Sequence, residues 1–316
     1  MVAAQRRDRM SAADFDRLFD SVCTWGRWGK EDRRGTLNYI EPEHVRGAAS
    51  LVRSGRTVSL ANPIDTAAGP DNPRPAVHFM AQGHDVPLPV GEPRFATDYL
   101  GCECHGDCHT HIDALCHISY RGMLYNGVPA ASVTSRGATR HDIAAYAEGI
   151  VGRGVLLDLP RLRGVPWLEP GEAVTAEELA AAESAQRVRV GQGDILLFRT
   201  GHPRRRLELG PWDNGYDGEG KAGLQPEAVR WLHERKVAAF LPDGDGEVVP
   251  SNVEGIAYPI HTLQIVAMGM ACADSLQFEE LVPVCEAQKR WELMVVVAPL
   301  RLPRGTGTLV NPVAIL

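Results

Sequence analysis

The chain has 316 residues, 44% hydrophobic and 23% charged, the balance of a soluble globular protein long enough for a sizeable core. Its formal net charge of −7 argues against nucleic acid or an anionic membrane as a partner. No apolar run approaches the ~18 residues of a membrane span.

The first twenty residues, MVAAQRRDRMSAADFDRLFD, are partly basic but lead into no apolar stretch, so no secretory signal is expected and the expected location is cytoplasmic. SAADFDRLFDSVC reads as an amphipathic helix capped by Ser11, with Phe15, Leu18 and Phe19 on one face. TWGRWGKEDRRGTLNYI is a glycine-rich loop offering Trp25 and Trp28 as flat walls for a pocket, although tryptophan also packs readily in a core. A second helix follows, with Pro42 in its first turn and Gly55 at its end, then a strand in RTVSLAN. Residues 65–97, rich in Pro, Gly and Asp, read as a long loop.

GVLLDL (154–159) and GDILLFRTG (193–201) are short apolar runs of the buried-strand kind. Between them TAEELAAAESAQ is a helix whose Thr175 and Glu178 form a capping box. QPEAVRWLHERK is a further helix and VAAFLPD a strand. TLQIVAMGMACADSL is apolar enough for a buried helix, and WELMVVVAPLRL is a C-terminal strand. The expected fold class is mixed α/β in one domain over residues 1–316, with a helical and loop segment over about 1–60. No glycine-rich phosphate loop occurs, which argues against a nucleotide enzyme.

The chemistry concentrates in CHTHIDALCHI, residues 108–118. If residues 105–113 are extended, His105, Asp107, His109, His111 and Asp113 share one face of the strand, and His117 returns shortly after. Such a row is costly to bury unless something satisfies it. Imidazole and carboxylate are ligands of zinc, manganese and iron(II). The rival reading, a thiolate zinc site from Cys102, Cys104, Cys108 and Cys116, lacks a C-x-x-C pair. Seven cysteines, an odd number, also argue against a disulfide framework.

THIDALCH resembles the H-x-G-T-H-x-D-x-x-x-H signature of the cyclase-like metal-dependent hydrolases. The resemblance extends through WGKEDRRGTLNYIEPEHV, SRGATRHDI, GRGVLLDLPR, GDILLFRTG, EAVRWLHERKVAAFLPD, PIHTLQIVAMGM and PLRLPRGTGTLVNPVAIL. It implies the swivelling β/β/α type of fold. It also implies His111, Asp113 and His261 as metal ligands, His117 as general acid/base, and an aromatic substrate contact near Trp28. Where the family has a glutamate thirteen residues beyond the later histidine, this chain has Asp274. The signature's first His falls on Asp107 and its Gly on His109. Either Asp107 replaces a ligand, the reading favoured by motif spacing, or His105 or His109 takes its place. His109 would in addition fill space that a glycine leaves to substrate.

The expected activity is hydrolysis of an amide, formamide, lactam or ester, assisted by zinc or manganese. A bound ion lowers the pKa of its water from ~15.7 towards ~7, and His117 suits the proton transfers. No G-x-S-x-G elbow is present. Two other readings use the same residues: a non-hydrolytic cyclase or dehydratase, and a binding protein whose metal site has decayed. The expected partner is a small-molecule substrate, and the chain is expected to form a homo-oligomer.

Overall fold

A computed structural model describes residues 9–87, 89, 91–215 and 217–316. Its strands include β1 (Thr57–Ser59), β2 (Val77–Gln82), β3 (Thr97–Gly101), β4 (His111–Asp113), β5 (Ile150–Asp158) and β6 (Ile195–Arg199). They continue with β7 (Ala239–Pro242), β8 (Ala271–Asp274), β9 (Glu292–Val297), β10 (Gly307–Leu309) and β11 (Val313–Ile315). Among the described residues, nine of these form one sheet in the order β1-β11-β9-β5-β6-β7-β8-β4-β10. The middle four, β5 to β8, are parallel. Antiparallel strands flank them on both sides.

Parallel strands buried on both faces should be apolar at consecutive positions, which is why β5 and β6 read as unbroken runs. Leu156, Leu197 and Leu241 enter one core, whereas Val155, Leu157, Leu196, Phe198 and Phe240 enter the other. The helices form where their caps indicate. Helix α1 (Ala12–Val22) starts at Ser11, whose hydroxyl accepts from the Asp14 N–H, and buries Phe15, Leu18, Phe19 and Val22. Helix α2 (Pro42–Ala49) ends at Ser50, short of Gly55. Helix α4 (Ala176–Gln186), after α3 (Leu159–Arg163), has the reciprocal Thr175–Glu178 bonds of a capping box. Helices α5 (His202–Leu209), α6 (Val229–Arg235), α7 (Pro259–His261) and α8 (Leu281–Gln288) complete the set.

Three expectations need correction. Residues 65–97 are not all loop: they contain β2 and begin β3, which pair as a hairpin with Phe79 stacked on Tyr99. Residues 105–113 are not one strand. Only His111–Asp113 is extended in the sheet, and bends occupy the segment before it. TLQIVAMGMACADSL is helical only to Ala267, after which Gly269 turns the chain at φ +62° and ACAD runs back as β8. Both halves are buried, so apolarity could not separate helix from strand.

Candidate metal centre

The site grows from the pairing of β4 with β8. Asp274 lies opposite His111 and Cys272 opposite Asp113. Side chains two apart share a face, so all four project to one side while Ile112 and Ala273 enter the core behind them. Three further histidines converge on that face from outside β4 and β8.

His105 arrives from the bend before β4. Its Nδ1 lies 2.8 Å from Asp113 Oδ1 and its Nε2 3.0 Å from Thr306 Oγ1. The ring fits only because residue 307 is glycine: a Cβ there would stand 2.5 Å from His105 Cε1. His261 comes from α7, anchored by buried Glu247. That carboxylate accepts from the Ile260 and His261 N–H groups and lies 3.0 Å from His261 Nδ1. The Nε2 is thereby aimed at Asp274 Oδ2, 3.1 Å away. His111 is fixed in the same manner, its Nδ1 2.8 Å from the His109 carbonyl. Its Nε2 is left 3.6 Å from Asp113 Oδ1 and 3.8 Å from Asp274 Oδ2. Orientation of a ligand imidazole through its other nitrogen is the usual supporting arrangement of a metal site. His117 stacks face to face on His105, centroids 3.9 Å apart, with its Nε2 3.8 Å from Asp113 Oδ2.

Asp113 is the centre of this arrangement. Both carboxylate oxygens are buried and lack a well-formed hydrogen bond, although four imidazoles stand 2.8–3.8 Å away. Ligand atoms ~2.0–2.3 Å from a shared ion lie roughly 3–3.7 Å from one another, so this spacing suits a cation between the groups better than direct bonds. Two donor triads result, His105/His111/Asp113 and His261/Cys272/Asp274, each with its ligand atoms within 4.8 Å of one another. The donor set therefore fits a divalent ion.

The protonation states follow from the same crowding. Burial would raise Asp113, but the charges of His117 and the other imidazoles, His105 closest at 2.8 Å, outweigh it, holding the carboxyl far below the usual range. Burial would lower His105, yet Asp113 lifts it to about 10. His261 is also raised, Asp274 and Glu247 overcoming its burial. His117 goes the other way, to about 4, through burial and the neighbouring imidazoles. With protons alone available, His105 and His261 neutralise the carboxylates, and a metal ion would compete for those positions.

Of the residues read from the sequence, His105, His111, Asp113, His117, His261 and Asp274 come together here. Asp107 does not, and the reading that favoured it is corrected. Its carboxylate binds Lys221 Nζ at 2.6 Å, in a bridge that Asp245 shares at 2.6 Å. Burial would lower the Lys221 pKa, but Asp245 and Asp107 raise it instead, so the ammonium is a committed cation. His109 likewise lies outside the two donor triads. It is buried, with its Nε2 3.1 Å from the Asp65 nitrogen and 3.0 Å from the Asp65 carbonyl oxygen, pinning the segment that leads to β2.

Trp25 donates to the Val266 carbonyl and meets Phe19 edge-on, a packing role. Trp28 rests edge-on against Tyr39, half-buried, with Arg27 over its ring. Glu247 and Cys272 were missed by sequence reasoning. Glu247 carries no local motif, and Cys272 is placed by the register of two distant strands. All seven cysteines are free, and no cysteine-only metal group occurs among the described residues.

A mixed α/β sheet presenting a buried His/Asp donor cluster defines the class, a protein with a candidate divalent-metal centre. The chain belongs to the cyclase family: the family model described as putative cyclase matches residues 58–245. A solved structure described as a novel cyclase is 32% identical, covering 94% of this chain and 99% of that one, with a TM-score of 0.83. Isatin hydrolase A from Ralstonia solanacearum has the same fold at 23% identity, covering 82% of this chain and 91% of that one, TM-score 0.59. Isatin hydrolase A from Labrenzia aggregata, bound to benzyl benzoate, is 22% identical over 86% of this chain and 97% of that one, TM-score 0.58. Comparison with curated protein sequences found no match.

Proposed function

We propose that the protein is a metal-dependent hydrolase that adds water to a C–N bond (amide, formamide or lactam) or to an ester. The observation that carries the reading is Asp113, a buried carboxylate ringed by four imidazoles at ligand spacing. Its resemblance in fold to isatin hydrolases supports the same class of chemistry. The residues that would hold the ion, zinc or manganese, are His105, His111 and Asp113, with His261 and Asp274 beside them. A divalent ion at this position supplies Lewis acidity towards a carbonyl oxygen and a more acidic water.

The chain's own contribution is positioning and proton transfer. His117 is the most exposed of the clustered imidazoles, its side chain 30% accessible, so a substrate can reach it. Its ring plane is fixed by the stack on His105. His117 takes a proton from the attacking water and returns it to the leaving nitrogen or oxygen, as a general base and then acid. Glu247 holds His261 in the tautomer that turns Nε2 towards the cluster. Lys221, neutralised by Asp107 and Asp245, braces the segment before β4.

The test is metal content together with a hydrolysis screen. Protein expressed with added zinc or manganese should retain at least one ion per chain, and the loaded form should hydrolyse a member of an amide, lactam and ester panel. Metal below about one-tenth of an ion per chain would overturn the metal reading, since a site of this kind binds tightly. Water-free rearrangement of a cyclisable substrate, with no hydrolysis of the panel, would favour the cyclase reading that the family description suggests.

A further inference from the structure

The geometry points to Cys272 as a metal ligand, its thiolate completing a position with His261 and Asp274 that selects zinc over manganese. The inference rests on the metal reading above and adds which ion that position takes. Cys272 lies directly across the strands from Asp113 and two residues before Asp274, so its sulfur projects onto the donor face. The side chain is wholly buried. A buried cysteine that only fills space meets apolar atoms. Here the sulfur lies 3.0 Å from Asp274 Oδ1 and receives the Gln264 amide N–H at 2.8 Å.

Asp274 divides its oxygens between the two other donors, Oδ1 to the Cys272 sulfur and Oδ2 to His261 Nε2. The second, independent sign is Asp113, whose Oδ2 is buried, lacks a hydrogen-bond donor and stands 3.8 Å from His261 Nε2. It would add a fourth donor, the second oxygen, beside the His261 nitrogen. Sulfur, nitrogen and carboxylate oxygen together are a zinc donor set, whereas manganese favours oxygen and nitrogen. On binding, the S–H proton that faces Asp274 leaves to solvent and a sulfur–metal bond replaces it. No redox change is involved.

Cobalt(II) is the probe, because a thiolate bound to it gives a near-ultraviolet charge-transfer band that nitrogen and oxygen ligands do not. Metal-free protein titrated with cobalt should develop this band, and Cys272→Ser should abolish it. The same change should weaken cobalt binding at this position about 100-fold or more, beyond the 10–100-fold typical of residues that only support a ligand. Cys104→Ser, beside His105, and Cys285→Ser, in the core, should both retain the band. X-ray absorption of the zinc-loaded native protein guards against a variant that fails to fold, and should detect a sulfur neighbour at ~2.3 Å. Bound cobalt with no band, a band that survives Cys272→Ser, or a zinc shell of nitrogen and oxygen alone would overturn the assignment while leaving the metal reading intact. Failure of both ions to bind would overturn both.

Discussion

His105 and Asp107 are separated by one residue yet serve different networks. His105 reaches Asp113, while Asp107 turns to Lys221. The energetics make this division stable. Lys221 is buried, and an unpaired buried ammonium is costly, so it requires both Asp107 and Asp245. Asp107→Ala should therefore cost folding stability, measurable by denaturant titration, while leaving metal affinity within about threefold of the parent. His105→Ala should lower metal affinity about as much as His111→Ala does. Equal metal losses for Asp107→Ala and His105→Ala would show that the two networks are one. At His117 the expected outcome is reversed: His117→Ala should keep its metal and lose roughly 10²–10⁴ in turnover, the usual worth of a general acid/base. Loss of the ion instead would make His117 a ligand.

At the scale of elements, the face that carries the chemistry is made by pairing β4 with β8 on one side and with β10 on the other. The alternation of β4 itself was legible in the sequence, because His111 and Asp113 lie two apart in a true strand. The helices with complete caps and the doubly buried β5 and β6 were legible for similarly local reasons. The supporting parts were not. His105 is delivered by bends that period-two reasoning treats as strand, and Cys272 meets Asp113 through a cross-strand register over 159 positions (272 − 113). Gly307 shows how much such distant pairing decides. On β10 it is the one residue type that leaves space for the His105 ring. Gly307→Ala would bring a methyl to 2.5 Å from that ring and 2.8 Å from the rigid Ile112 carbonyl. The ring, rather than the sheet, should move. The expected result is metal affinity reduced at least tenfold with circular dichroism unchanged; unchanged affinity would mean that His105 is not held in place by this contact.

Over the whole molecule, the hairpin of β2 and β3 stands apart from the large sheet. Its strands are exposed on both faces, with Phe79 and Tyr99 each 52% accessible. A two-stranded ribbon with neither face covered is marginal in water. Val77, Phe79, Met80, Val86, Phe95, Tyr99 and Leu100 lie exposed on or near it. At about 100 Å² each they expose roughly 700 Å² of apolar side chain. The register places Val77, Phe79 and Tyr99 on one face and Met80 and Leu100 on the other, so a second arm laid against one face covers only part of this surface. We propose that the expected homo-oligomer, if it forms, seats its second copy on this arm. Light scattering should give at least a dimer for the native protein, and the double change Phe79→Glu with Tyr99→Glu should give a monomer of unchanged circular dichroism. A native monomer, or a variant that stays associated, would contradict the assignment. The arm ends at Gly101, four residues before His105, so association and metal binding are adjacent in the chain without being the same event. His105 is held by Thr306 and Asp113 of its own copy. The dissociated variant should therefore retain its metal, and loss of metal together with dissociation would place the partner's arm among the supports of the site.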